Sequence, residues 1–273
     1  MKEPLRKPCQ CIAVCGAKGG AGRTSLAVNL AVTLAKQHKD LKIGIWDADF
    51  QFGNVNMAMN LLSTLSIKEA VDAYEHLDRL LLSRYLLRHE SGVRVLAAPP
   101  RPEYAELITL PLLDKVMGLL AEELDYLIID TPAGFQETTL FFMERAASIL
   151  MVTTPELNSL VNTKAMTQTL EVLGLKKQMK VVLNRAGIDS VLQPSQMADV
   201  LQANIDYTIP DQWGTASKAI DLGIPFTTVY AGTELSRAYL RLAEGLHTGV
   251  SERDARGSLL ARMVSLWNRK VTV

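Results

Sequence analysis

The chain has 273 residues, 48% hydrophobic and 21% charged, with 29 lysines and arginines against 29 aspartates and glutamates. That length can bury a substantial core, in one large domain or two small ones, and zero formal net charge excludes a global field for nucleic acid or an anionic membrane. The three cysteines, Cys9, Cys11 and Cys15, make no disulfide framework, and no run reaches the ~18 apolar residues of a membrane span.

The first ten residues, MKEPLRKPCQ, lack the apolar core of a secretory signal, which sets the expectation of a reduced, cytoplasmic protein. Short apolar runs follow at 11–15, 42–47, 93–98, 126–130, 148–154, 179–184 and 206–210. Most are apolar at successive positions, as in strands buried on both faces of a parallel sheet. Between them lie helical patterns: Leu26, Leu30 and Leu34 after the first run, a stretch at 113–124, and another at 156–173. The alternation predicts an α/β fold, a doubly wound and mostly parallel sheet of about seven or eight strands flanked by helices. Residues 1–247 read as one domain. Residues 248–273 read as a polar linker, within HTGVSERDARGS, and a C-terminal amphipathic helix.

Ligands on such sheets bind at the carboxyl ends of the strands, so the residues just after the apolar runs are the informative ones. After the first run comes GAKGGAGRTS, residues 16–25, and then a helix. Glycines let a backbone fold tightly around phosphates with its N–H groups pointing inward, and the helix N-terminus favours negative charge. Gly19, Gly20, Ala21, Gly22, Arg23, Thr24 and Ser25 are therefore candidates to hold a nucleotide's phosphates, with the Thr24 hydroxyl placed for magnesium. Against the pattern G-x-x-x-x-G-K-[ST], Ala17 replaces the first glycine and Arg23 the lysine. Arginine keeps the charge but is a planar fork, so the exchange is not conservative. The second run ends in Asp47-Ala48-Asp49, two carboxylates on one side of an extended segment, able to orient water or hold a metal's hydration shell. The fourth run ends at Asp130, a Walker B pattern with Asp130 set to bond magnesium-bound water, and Gly134 gives the next loop freedom to respond to a γ-phosphate.

The segment Lys18-Gly19-Gly20-Ala21-Gly22-Arg23-Thr24 resembles the deviant Walker A motif, K-G-G-x-G-K-[ST], of the MinD/ParA family of dimeric ATPases. The likeness runs from about Cys11 to Leu246 at several separated motifs. It implies ATP and ADP with Mg2+ as cofactors and an ATP-dependent homodimer, with Lys18 reaching across to the partner's nucleotide. It also implies that Asp49 assists the attacking water, that Asp47 takes the more structural, metal-side position, and that Asn184 and Arg185 lie near the adenine. An asparagine amide can donate to and accept from a base edge together. Ile209-Pro210-Asp211 and the segment 219–225 are similar to the family's closing segments, which adds Pro210 and Asp211 to the binding set.

Asp49-Phe50-Gln51-Phe52-Gly53-Asn54-Val55 looks most like the pilus-assembly branch, the CpaE/TadZ group, which places the machinery of Flp-type (tight-adherence) pili, often at a cell pole. Members often carry a substituted phosphate-loop lysine, consistent with Arg23, and usually a receiver-like domain ahead of the ATPase domain, for which this chain has only about ten residues. The expected function is a slow ATPase acting as a spatial switch for a cell-surface machine, with pilus or secretion proteins as partners. The alternatives are an ATP-holding scaffold without useful turnover, or a flagellar or division-site relative.

At the end of the chain, Leu259, Leu260, Met263, Val264, Trp267 and Val271 share a helical face, with Arg262, Arg269 and Lys270 elsewhere. Such a stripe packs on the protein's own body or on a partner, or gives weak peripheral contact with the inner membrane. Lys176, Lys177, Lys180 and Arg185 form only a small basic cluster on a neutral chain, which argues against DNA as a partner.

Overall fold

The computed structural model describes residues 8–250, apart from 189 and 191. The linker beyond residue 250 and the amphipathic stretch 258–271 lie outside the described residues. In chain order the elements are β1 (Gln10–Cys15), α1 (Arg23–Gln37), β2 (Ile43–Asp47), α2 (Val55–Ala58), α3 (Ile67–Asp72), α4 (Arg79–Tyr85), β3 (Leu87–Arg88) and β4 (Arg94–Leu96). Then follow α5 (Leu110–Glu123), β5 (Tyr126–Asp130), α6 (Glu137–Arg145), β6 (Ser148–Thr153), α7 (Leu157–Val172), β7 (Met179–Ala186), α8 (Pro194–Leu201), β8 (Tyr207–Pro210), α9 (Trp213–Asp221), α10 (Phe226–Val229) and α11 (Glu234–Thr248).

The strands form one eight-stranded sheet in the order β3-β4-β2-β5-β1-β6-β7-β8, parallel except for the antiparallel β3–β4 pair. This is the expected doubly wound architecture. β1, β2 and β5 are buried nearly throughout because helices cover both faces of the sheet, which is why they read as continuous apolar runs. Along β1 the side chains alternate between the two layers. Ile12 and Val14 pack with α1, α10 and α11, whereas Cys11 packs with α5 and α6, and Ala13 and Cys15 with α6 and α7. Cys11 and Cys15 are small buried residues, and burial pushes the Cys15 thiol up to about 12. Among the described residues no helix is long and apolar enough to cross a membrane.

β1 lies between β5 and β6, while the chain leaving it crosses through α1 to β2, beyond β5. That is a point where strand order reverses, and the loops at the carboxyl ends of β1, β2, β5 and β6 meet there. The register puts Val14 beside Asp130 and Asp130 beside Asp47, so the sheet itself sets two acidic strand ends next to the glycine-rich loop.

Candidate functional site

The loop between β1 and α1 is held by its backbone conformation and by its neighbours. Gly20 and Gly22 have φ of 77° and 92°, the left-handed region open to glycine. Gly22 has a second reason to lack a side chain, since a Cβ there would lie 2.3 Å from Asn184 Nδ2. Asn184 Nδ2 donates to the Ala21 carbonyl at 2.9 Å, so β7 props the loop from beneath. Gly22 also precedes the first turn of α1, which has no side-chain cap and no acidic residue. Its amides are therefore left for an incoming acceptor.

Thr24 and Asp130 meet directly. Thr24 Oγ1 donates to Asp130 Oδ2 at 2.6 Å, while Asp130 Oδ1 is buried without a hydrogen-bond partner. Burial pushes the Asp130 carboxyl up to about 7, and nearby Asp49 adds to the rise, against the Thr24 hydrogen bond and the positive Arg23. Asp47 is also fully buried, and both its oxygens are engaged: Oδ1 accepts from Asp49 N–H at 3.3 Å and Oδ2 from Val55 N–H at 2.9 Å. Burial, and then the charge of Asp130, raise the Asp47 carboxyl well above its ordinary value. Gly53 makes room for it, as a Cβ there would lie 2.4 Å from either Asp47 oxygen. Asp47 thus organises the loop after β2 through backbone amides. Asp49, less buried, accepts from Phe52 N–H at 3.2 Å in the same loop.

A cavity of about 320 Å³ opens beside the loop. Of the residues singled out from sequence, Gly20, Gly22, Arg23, Thr24, Ser25, Asn184, Arg185, Pro210 and Asp211 line it. Lys18 and Gly19 are exposed on the outer turn of the loop, Ala21 is buried under it, and Asp47, Asp49 and Asp130 stand beside it at the ends of β2 and β5. Arg185 lines this cavity and Lys176 pairs with Glu171 at 2.6 Å, so the small basic cluster is divided between separate tasks. Glu156, just before α7, has its carboxyl held down by a Thr154 hydrogen bond and by the charges of Lys18 and Arg185.

The sequence reading missed one wall of the cavity. Phe226 at the start of α10 and Leu235 and Tyr239 on α11 line it, with the Phe226 and Tyr239 rings edge-on at 5.0 Å. Burial pushes the Tyr239 phenol up. In the sequence these are apolar residues at helical spacing, indistinguishable from core.

This site can accept a polyanion against uncapped helix amides, a divalent cation at a hydroxyl–carboxylate pair, and a flat group against an apolar wall. Residues 8–247 match the family model described as ParA, NUBPL iron-transfer P-loop NTPase. The chain belongs to the ParA family. Among curated relatives, an uncharacterised ATP-binding protein of Methanocaldococcus jannaschii is 28% identical over 234 residues, covering 85% of this chain and 86% of that protein. The antiactivator FleN of Pseudomonas aeruginosa is 28% identical over 182 residues, covering 66% of this chain and 62% of FleN. Among solved structures, the septum site-determining protein MinD of Pyrococcus horikoshii, complexed with Mg-ADP, superposes with a TM-score of 0.75 at 23% identity, covering 87% of this chain and 95% of that one. The ParA fold, an eight-stranded and mostly parallel sheet between helical layers, is thus shared with MinD.

Proposed function

We propose that the chain is an ATP-dependent dimerising switch that positions a cell-surface machine. The observation that carries this reading is the Thr24–Asp130 pair at the mouth of an uncapped, glycine-lined helix start, with one Asp130 oxygen buried and unsatisfied. An orphaned buried carboxylate oxygen beside a hydroxyl fits a magnesium ion and its bound water. Bound Mg-ATP would supply a terminal phosphate as the signal, and the metal would neutralise its charge. Gly19 to Gly22 and the first turn of α1, with Arg23, Thr24 and Ser25, hold the phosphates. Thr24 and Asp130 hold the metal, Asp130 through water, and Asp47 supports that side by fixing the loop after β2. Asp49 orients the attacking water. Asn184, Arg185, Pro210 and Asp211, backed by Phe226 and Tyr239, hold the base, with the Asn184 amide shared between the base and Ala21.

The second copy docks on the same edge. Phe52, Phe135, Leu157 and Val161 are exposed at 72, 38, 56 and 49%, in segments following β2, β5 and β6. β5 and β6 flank β1 and β2 lies just beyond β5, so these exposed apolar residues follow strands that end on the same edge as the loop carrying the exposed Lys18. Lys18 then closes the partner's site. Site determination is the role in the printed names of two relatives, the flagellum site-determining protein YlxH of Helicobacter pylori and the septum site-determining protein MinD of Synechocystis. The finer assignment, a Flp-type pilus apparatus of the CpaE/TadZ kind, with cytoplasmic protein gathered at a pole or on the inner membrane through residues 258–271, rests on the Asp49–Val55 segment and on Arg23. A second reading, an ATP-holding scaffold without useful turnover, is favoured by Arg23, whose guanidinium is tied to two backbone carbonyls.

Titration calorimetry tests the site. Mg-ATP binds the native protein, and Thr24→Val weakens it about tenfold or more while abolishing the dependence on magnesium. Equal affinity with and without magnesium in the native protein would contradict the role given to Thr24 and Asp130.

A further inference from the structure

Arg23 stands where the general phosphate-loop pattern has lysine, and its placement shows what the exchange does. Its stem lies against Gly16, where an added Cβ would come within 3.3 Å of Cδ. From there Nε–H donates to the Thr131 carbonyl at 3.0 Å and Nη1–H to the Lys18 carbonyl at 2.8 Å. The two carbonyls belong to different segments. Lys18 is in the loop after β1, whereas Thr131 opens the loop after β5, immediately beyond Asp130. Two further ties join the loop after β5 to β1 and the start of its loop: Gly134 N–H donates to the Gly16 carbonyl at 3.0 Å, and Thr131 Oγ1 to the Val14 carbonyl at 3.0 Å. Arg23 is the side-chain member of that seam.

A guanidinium has five N–H donors in one rigid plane, so two bonds to carbonyls fix the plane and leave three donors. A lysine ammonium gathers its donors on a single atom and has no such span. We propose that Arg23 is a positioning residue that staples the loop following Asp130 to the phosphate loop, holds Asp130 in register with Thr24, and turns its remaining donors to the terminal phosphate. The inference rests on the nucleotide reading above, and it has a consequence opposite to intuition. Restoring the consensus lysine should damage this protein.

The test is hydrogen exchange by mass spectrometry on the full chain without nucleotide, following peptides that cover 14–22 and 128–136, with α11 as the reference for an intact fold. Arg23→Lys and Arg23→Ala should both speed exchange at the Gly134 amide by about tenfold, the worth of a charge-assisted hydrogen bond. Methylguanidinium, but not methylammonium, should restore protection to Arg23→Ala. In parallel, the preference for Mg-ATP over Mg-ADP should fall in Arg23→Lys. Wild-type protection in Arg23→Lys, or equal rescue by methylammonium, would overturn the staple. If Arg23→Lys exchanges like the native protein while nucleotide still binds, the staple fails and the nucleotide reading stands. If the native protein binds no nucleotide but the exchange pattern holds, the staple stands and the nucleotide reading fails.

Discussion

At the scale of single residues, the site trades stability for readiness. Asp130 is held where burial disfavours its charge, with one oxygen unsatisfied. Its carboxyl titrates near 7 when folded and near 3.8 when unfolded. Between those values the unfolded chain releases the proton and the folded chain keeps it, so stability falls as pH rises through that window, and the full cost is present above about 7. Asp130→Asn removes that cost and also relieves Asp47, which feels the charge of Asp130 after its own burial. The variant should therefore melt above the native protein at pH 8 without nucleotide, the difference narrowing toward pH 5, while Mg-ATP binding is lost. Thermal melts across that range check it. A lower melting temperature at pH 8 would mean that the carboxylate stabilises the fold. That Thr24, Asp130 and the glycine loop would meet was legible in sequence, because a glycine-rich turn after one buried strand and an aspartate ending another both fall at the carboxyl edge of a parallel sheet. The work of Gly53 and Asn184 was not. Gly53 clears space for Asp47, and Asn184 props Ala21 from another strand, and neither relation leaves a trace in local spacing.

At the scale of elements, the strands buried on both faces were the most readable. β1, β5, β6 and β7 lie within a residue or two of the apolar runs, since their central residues are buried and apolar and the polar ones sit mostly toward the strand ends. β3 escaped notice, as two residues at an antiparallel sheet edge, with Arg88 exposed, carry no apolar run. The cavity wall from α10 and α11 was hidden for a different reason. Phe226 reaches the cavity because α10 is pinned to α1, by Asn29 and by Lys36 Nζ, which donates to the Thr227 carbonyl at 3.2 Å. Asn29 Oδ1 accepts from Thr227 N–H and Oγ1–H, each at 3.2 Å, while its Nδ2 donates to the Ser25 carbonyl at 2.9 Å. Asn29→Ala leaves the buried Thr227 groups unsatisfied, at a cost of about 1–3 kcal/mol. At about 2–4 °C for each kcal/mol, the melting temperature should fall measurably. Because Ser25 and Phe226 both line the cavity, nucleotide affinity should fall as well. Unchanged affinity with a lowered melting temperature would show that α10 is only structural.

At the scale of the whole molecule, the sheet order gathers the loops after β1, β2, β5 and β6 on one edge, and that edge carries both the acidic site and exposed apolar residues. Phe52, Phe135, Leu157 and Val161 are exposed on that edge, and so is Lys18, whose carbonyl is engaged by Arg23. The central claim is that one surface serves nucleotide and partner together, so binding and association are linked. It is tested most directly by solution mass, from light scattering after size exclusion, in Mg-ADP and in Mg-ATP. The account predicts a monomer with ADP, a dimer with ATP, and a monomer under both conditions for Lys18→Ala with ATP still bound. The same mass in both nucleotides for the native protein, with ATP demonstrably bound, would contradict the switch and favour the scaffold.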